Sequence, residues 1–232
     1  MRAMILAAGR GERMRPLTDT TPKPLLKVAG KALISYHLEH LYQAGFRDIV
    51  INHAWLGQQI ENTLGNGADY GLNIHYSPET TALETGGGIF QALPRLSPTS
   101  TEAFIVINGD IWCDCALDSL QLPPGKLAHL LLVDNPEHNP AGDFVLYDHH
   151  AYEKTTLPEH IQEQVFTFSG IGVYHPLLFN HCQAGAFPLA PLLKQAMRQH
   201  LVSAQHHDGL WMDIGTPERL ARLDKLTSEA KK

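Results

Sequence analysis

The chain has 232 residues, 44% apolar and 18% charged, enough to bury roughly 70% of the unfolded surface, so neither intrinsic disorder nor a disulfide-stapled miniprotein is in question. Its three cysteines are too few and too unevenly placed for a disulfide framework. Cys113 and Cys115 form a C-x-C rather than the C-x-x-C of a zinc site, and with Cys182 they read as small buried or half-buried thiols. A net charge of −6 argues against a general nucleic-acid binder, and no stretch approaches the ~20 apolar residues of a membrane span.

The opening apolar run is too short for a signal sequence and breaks at once into Gly and Arg, so a cytoplasmic protein is expected. Residues 2–8 read as a buried strand, and a Gly- and Pro-rich loop follows to Pro24. A helix is expected over 33–46, with Gly45 as its stop, then a strand over 48–52 and a short helix over 56–64. A third strand over 73–77, a helix over 85–93 and a fourth strand over 104–108 continue the alternation. Strands alternating with helices imply right-handed βαβ crossovers and a parallel sheet. An apolar strand over 127–133 follows; residues 134–164 are polar and resist assignment. Residues 166–174 alternate like a strand, 189–201 read as a helix, and Thr216-Pro217 starts a last one. The adjacent pairs His149-His150 and His206-His207 cannot face one way, so they read as exposed loop histidines.

Charge is concentrated at the start. Residues 1–31 hold seven bases (Arg2, Arg10, Arg13, Arg15, Lys23, Lys27, Lys31) and two acids (Glu12, Asp19), or +5, which leaves −11 for the rest. A cationic opening on an acidic chain points to a local anionic ligand. It coincides with Leu6-Ala-Ala-Gly9-Arg-Gly11-Glu-Arg13-Met, where a Gly-rich loop leaving a strand can bring backbone N–H groups against phosphate. The string has no G-K-[ST] ending, so it is not a P-loop, and Met14 stands where a dinucleotide fingerprint needs its third glycine. Basic side chains follow the glycines instead, which favours a triphosphate held by charge. Arg10 and Arg15 are left open between phosphate contact and a solvent-facing role.

Gly9-x-Gly11-x-Arg13-Met-x-Pro16-Leu-Thr, then Pro22-Lys23-Pro24, Leu83-Glu-Thr-Gly-Gly-Gly88, Asn108-Gly109-Asp110 and Trp211-Met-Asp213 resemble, in order and spacing, the sugar nucleotidyltransferase family. The resemblance covers nearly the whole chain. It implies a single α/β domain over 1–232, Rossmann-like, with a mostly parallel, mixed central sheet flanked by helices. Residues 1–112 would bind nucleotide, and 113–232 would carry the sugar pocket and a second metal ligand. It further implies that Leu6, Ala7, Ala8, Gly9, Gly11, Arg13 and Asn108 surround the nucleotide, with Glu79, Thr85 and Gly86 at the base. Lys23, Arg13 and Asp110 are the implied catalytic residues, and Asp110 and Asp213 the implied ligands of Mg²⁺, an ion that prefers oxygen donors. Many relatives place a Gln near position 79. Glu79, acceptor-only when ionised, suits uracil N3–H but also guanine, which leaves the base open. Gly142, Asp143, Thr167, Ser169 and Gly170 are candidates for the sugar pocket. Trp211 reads as packing rather than stacking.

Ser77-Pro-Glu79, Phe168-Ser-Gly-Ile171 and Cys182-Gln-Ala-Gly-Ala-Phe187 are most similar to the branch of the family that joins UTP to N-acetyl-α-muramate 1-phosphate in cell-wall sugar recycling. The expected partners are therefore UTP and a sugar 1-phosphate, with a functional link to an anomeric sugar kinase, no nucleic acid and no membrane, in a monomer or weak homo-oligomer. The length leaves no room for the acyltransferase β-helix that some relatives carry. Rival readings are a mannose-1-phosphate guanylyltransferase, a glucose-1-phosphate uridylyl- or thymidylyltransferase, a cytidylyltransferase for an alcohol phosphate, and a non-catalytic sugar-nucleotide-binding regulator.

Overall fold

The computed structural model describes residues 1–155 and 164–229. In chain order the strands and helices are β1 (Arg2–Ala7), β2 (Lys27–Val28), β3 (Lys31–Ala32), α1 (Leu33–Gln43), β4 (Asp48–His53), α2 (Gly57–Leu64), β5 (Asn73–Pro78), α3 (Glu84–Leu96), β6 (Phe104–Asn108) and β7 (Ile111–Cys113). They continue with β8 (Ala128–Val133), β9 (Phe144–Tyr147), β10 (His150–Tyr152), β11 (Val165–Tyr174), α4 (Ala190–Met197), β12 (Val202–His207), β13 (Trp211–Asp213) and α5 (Pro217–Glu229).

A nine-stranded sheet runs β5-β4-β1-β6-β11-β8-β12-β10-β9. Pairings β5/β4, β4/β1, β1/β6 and β8/β12 are parallel, and only β11 and β10 run against the other strands. β9 also returns to the start of β11, with Val165 opposite Val145, so the far end of the sheet curls back on itself.

The sheet is buried on both faces, which is why its central strands read as continuous apolar runs. Ala3, Ile5, Ile49, Ile51, Ile105 and Ile107 pack toward Ile34 and Leu38 of α1 and Ile60 of α2. The alternate residues Met4, Val50, Phe104 and Val106 pack toward Ile89 of α3 and Leu193 of α4. The expected helix over 33–46 ends at Gln43, because Gly45 turns left-handed (φ 87°) and Phe46 N–H donates to Leu41 O at 3.0 Å. The expected helix over 189–201 is likewise shorter. His200 takes the same left-handed turn (φ 57°) without a glycine to signal it, and Leu201 N–H donates to Ala196 O. Within 134–164, β9 and β10 form a hairpin, and residues 156–163 lie outside the described residues. The loop reading of the histidine pairs holds for His149, exposed in the turn between β9 and β10, and is corrected for the rest: His150 lies in β10, and His206 and His207 lie in β12, where strand alternation sends neighbours to opposite sides. Among the described residues no helix is long and apolar enough to cross a membrane.

Candidate active site

A cleft of about 520 Å³ opens where β1 and β6, hydrogen-bonded neighbours, both end. In an open α/β sheet this is where ligands are expected. Leu6, Ala7, Ala8, Gly9, Gly11, Arg13, Lys23, Glu79, Thr85, Asn108 and Asp110 all line it. Gly86 does not: it is buried against Phe187, and a side chain there would meet that ring.

The chain reaches this arrangement by close backbone approach. Gly109 N–H donates to Leu6 O at 2.9 Å, and a Cβ on Gly109 would stand 2.6 Å from that oxygen. Only glycine lets β6 close onto β1 just before Asp110. Lys23, held between Pro22 and Pro24 in a 3₁₀ turn, is 8% exposed and places Nζ 2.6 Å from Asp110 Oδ2. Pro22 and Pro24 restrict the backbone on both sides, so this ammonium is delivered from a stiff segment.

Asp213 does not line the cleft; its strand is brought to the segment around Asp110 through a pairing with no counterpart in the main sheet. β13 runs antiparallel to β7 with Asp213 opposite Ile111, and Ile214 N–H donates to Asp110 O at 2.7 Å. Two carboxylates 103 positions apart are thereby tied to one small ribbon. Asp213 Oδ1 pairs with Arg219 of α5 and lies 3.1 Å from His138 Nε2. Arg13 is exposed at the cleft and, among the described residues, makes no hydrogen bond or ion pair. A cation in that state is available to an anion. Arg10 instead stacks on Trp55 (3.7 Å) and pairs with Asp19, which Arg15 also contacts, so both arginines stabilise the loop and neither lines the cleft. Behind Asp110, burial pushes the His37 imidazole down to about 4, so it packs there uncharged at neutral pH.

Residues 2–122, just over half of the chain, match the nucleotidyl transferase family. The chain belongs to that family. It is 54% identical to the N-acetylmuramate alpha-1-phosphate uridylyltransferase of Neisseria meningitidis serogroup B, over 97% of this chain and 98% of that protein. It is 34% identical to the catalytic subunit beta of a Drosophila pseudoobscura mannose-1-phosphate guanylyltransferase, covering 94% of this chain but only 60% of the subunit's length. A Bacillus anthracis structure assigned as a glucose-1-phosphate thymidylyltransferase superposes with a TM-score of 0.81 at 21% identity, over 97% of this chain and 94% of the other, and shares the fold.

In this nucleotidyltransferase, sequence reasoning overlooked Asn52. Its Oδ1 accepts the Ala7 N–H (2.9 Å) and its Nδ2 donates to Glu79 Oε1 (2.6 Å), while Glu79 Oε2 accepts the Leu83 N–H (2.9 Å). Glu79 thus ties the end of β1 to the start of α3. Each of its oxygens already has a protein donor and keeps lone-pair capacity for another. An asparagine at the end of a strand carries no distinctive signal, so only the fold reveals this link.

The sugar-pocket candidates separate into two groups. Ser169 is fully buried and Gly170 packs on Asn108, at the cleft; Trp211 Nε1–H donates to Ser169 O at 2.8 Å and the ring packs against the core. Gly142, Asp143 and Thr167 belong to a polar network farther along β11. There Asp143 accepts from Asn139 and from the Phe168 N–H, and Thr167 donates to Asn135. None of these five lines the 520 Å³ cleft itself.

The triple glycine of α3 yields a test. A Cβ on Gly87 would be driven into the Gly185 carbonyl oxygen, a backbone atom, whereas a Cβ on Gly9 would meet nothing within 4 Å. Gly87→Ala is therefore expected to destabilise by about 1–3 kcal/mol or more. Gly9→Ala should stay within about 0.5 kcal/mol of the parent. Denaturant midpoints at unchanged m-value compare the two.

Proposed function

We propose that this chain transfers a uridylyl group from UTP to N-acetyl-α-muramate 1-phosphate, giving UDP-N-acetylmuramate and pyrophosphate. The observation that carries the reading is the 54% identity to a uridylyltransferase of that name, spread over nearly the full length of both chains. The cleft supplies suitable chemistry. A sugar phosphate oxygen attacks the α-phosphorus, the bond to the bridging oxygen of the β-phosphate breaks, and pyrophosphate leaves with that electron pair. Two anions must meet in line, so catalysis rests on positioning and on offsetting charge. Lys23 is placed to lie between the approaching phosphates, and unpaired Arg13 to hold the departing pair. Asn52, through Ala7, and Glu79, through Leu83, fix the two backbone segments that flank the base.

Asp110 and Asp213 form an oxygen donor set that fits Mg²⁺, with substrate phosphates and water completing the shell. When bound, that ion would neutralise charge on the reacting phosphates. The triphosphate and sugar phosphate substrates favour a cytoplasmic enzyme. The sugar phosphate is to be supplied by a kinase acting on an anomeric hydroxyl.

The test is a panel of nucleoside triphosphates against sugar 1-phosphates, scored by pyrophosphate release; absence of product with UTP and N-acetyl-α-muramate 1-phosphate would overturn the reading. Glu79 keeps a second reading open, since its carboxylate could accept from guanine, and guanylyltransferase relatives exist at 34% identity. A hydrogen bond to a charged group is worth about 1.5–3 kcal/mol, so Glu79→Ala should blunt a UTP-over-GTP preference by roughly ten- to a hundredfold. Relative kcat/KM for the two nucleotides decides it, and a parent enzyme that prefers GTP would replace the uridylyl assignment with the guanylyl one.

A further inference from the structure

Away from the cleft, three side chains of different chemistry converge on the far end of the ribbon that carries the two aspartates. Cys113 ends β7, Asp114 follows it, and His207 ends β12. One ligating atom from each lies within 4.8 Å of the other two. His207 Nε2 stands 2.7 Å from Asp114 Oδ1, with the imidazole largely buried (17% exposed) and the carboxylate open to solvent (53%). Residues 208–210 pass directly over this pair. A Cβ on Gly209 would lie 2.5 Å from Asp114 Oδ1 and 2.7 Å from His207 Nε2, so a glycine is what allows the loop to close there. Cys113 and Asp114 also border a second hollow of about 240 Å³, which gives a small ion a route in.

We propose that Cys113, Asp114 and His207 bind one zinc-class divalent cation, with water as the remaining ligand. Sulfur, imidazole nitrogen and carboxylate oxygen form a mixed donor set suited to Zn²⁺ and poorly suited to Mg²⁺, which takes oxygen. Tetrahedral ligands around zinc sit about 3.4–3.8 Å apart, given bonds of about 2.0–2.3 Å. The cluster therefore needs shifts of only about 1 Å, with the His207–Asp114 hydrogen bond replaced by bonds to the ion. Thiolate and carboxylate together balance the dication, and the thiol proton leaves to solvent.

The position gives the ion a role. His207 precedes the loop that leads into β13, and Cys113 pairs with Trp211 of that strand. An ion bridging β12 to β7 staples the loop at its base and holds β13 in register, and with it Asp213 beside Asp110. It is a positioning site, remote from the reacting atoms.

Purified full-length chain, stripped with EDTA and dialysed against limiting Zn²⁺, should retain one ion per chain by elemental analysis. Loading with Co²⁺ should produce a thiolate-to-cobalt charge-transfer absorption, which Asp110 and Asp213, oxygen donors only, cannot give. Even outer-shell changes cost metal sites about 10–100-fold, so Cys113→Ser and His207→Ala should each weaken Zn²⁺ retention at least about tenfold. Cys113→Ser should also erase the cobalt band, and Asp213→Asn should leave band and retention intact. A parent protein without the cobalt band, or a Cys113→Ser variant that holds Zn²⁺ as tightly as the parent, would overturn the assignment.

Discussion

Lys23→Ala is expected to lower kcat/KM by about a hundredfold or more, near 2.7 kcal/mol, while UTP affinity changes far less. The side chain is nine-tenths buried at the cleft wall and, among the described residues, its one ion-pair partner is Asp110, at 2.6 Å. The ammonium sits on a carboxylate. As two phosphates close on one another, negative charge accumulates where Nζ can reach, and a compact ammonium with three donors can serve both. An interaction that strengthens along the reaction coordinate raises turnover more than binding. The measurement is a split: kcat/KM from pyrophosphate release, and UTP affinity from calorimetry on the same variant. Near-normal turnover would make Lys23 a structural partner of Asp110 only. A parent that binds UTP yet forms no product with any sugar phosphate would point to the regulator reading instead.

Asp110→Asn and Asp213→Asn are each expected to reduce turnover at least roughly tenfold, and EDTA-stripped enzyme should be inactive until Mg²⁺ is restored. Each carboxylate also holds a cation in place, Lys23 in one case and Arg219 in the other. Part of the loss could thus come from displaced side chains. Mg²⁺ dependence separates the causes. Loss of a metal ligand raises the Mg²⁺ concentration needed for half-maximal rate, whereas a displaced lysine lowers the plateau without moving that midpoint. Full activity in metal-free buffer would remove Mg²⁺ from the mechanism.

Which parts of this molecule were legible beforehand follows from how far apart in sequence the interacting groups lie. The strands β1, β4 and β6 and the helices between them announced themselves, because burial on both sheet faces forces continuous apolar runs and each crossover is local. The Gly9-to-Arg13 loop, Lys23 between its prolines, and Asn108-Gly109-Asp110 were readable because close backbone approach to phosphate, or to a neighbouring strand, admits few residue types. Helix ends were less legible, and His200 shows why: it adopts the left-handed turn that a glycine would have advertised.

The tertiary structure alone decided the rest. Asp213 is brought opposite Ile111, the residue after Asp110, because β7 and β13, three residues each, pair across the chain, and strands so short leave no periodicity to read. Asn52 and Glu79 join two loops through hydrogen bonds that neither residue type foretells. Gly86 reads as a base contact in sequence, yet the packing of Phe187 turns it into the core. His150, His206 and His207 read as loop residues, but lie in β10 and β12, strands that form only through long-range pairing. Local sequence determined the elements and the glycine-rich loop at the cleft, since both depend on neighbours within a few residues. Which distant side chains share a site was fixed only by long-range strand pairing, whose partners no local pattern encodes.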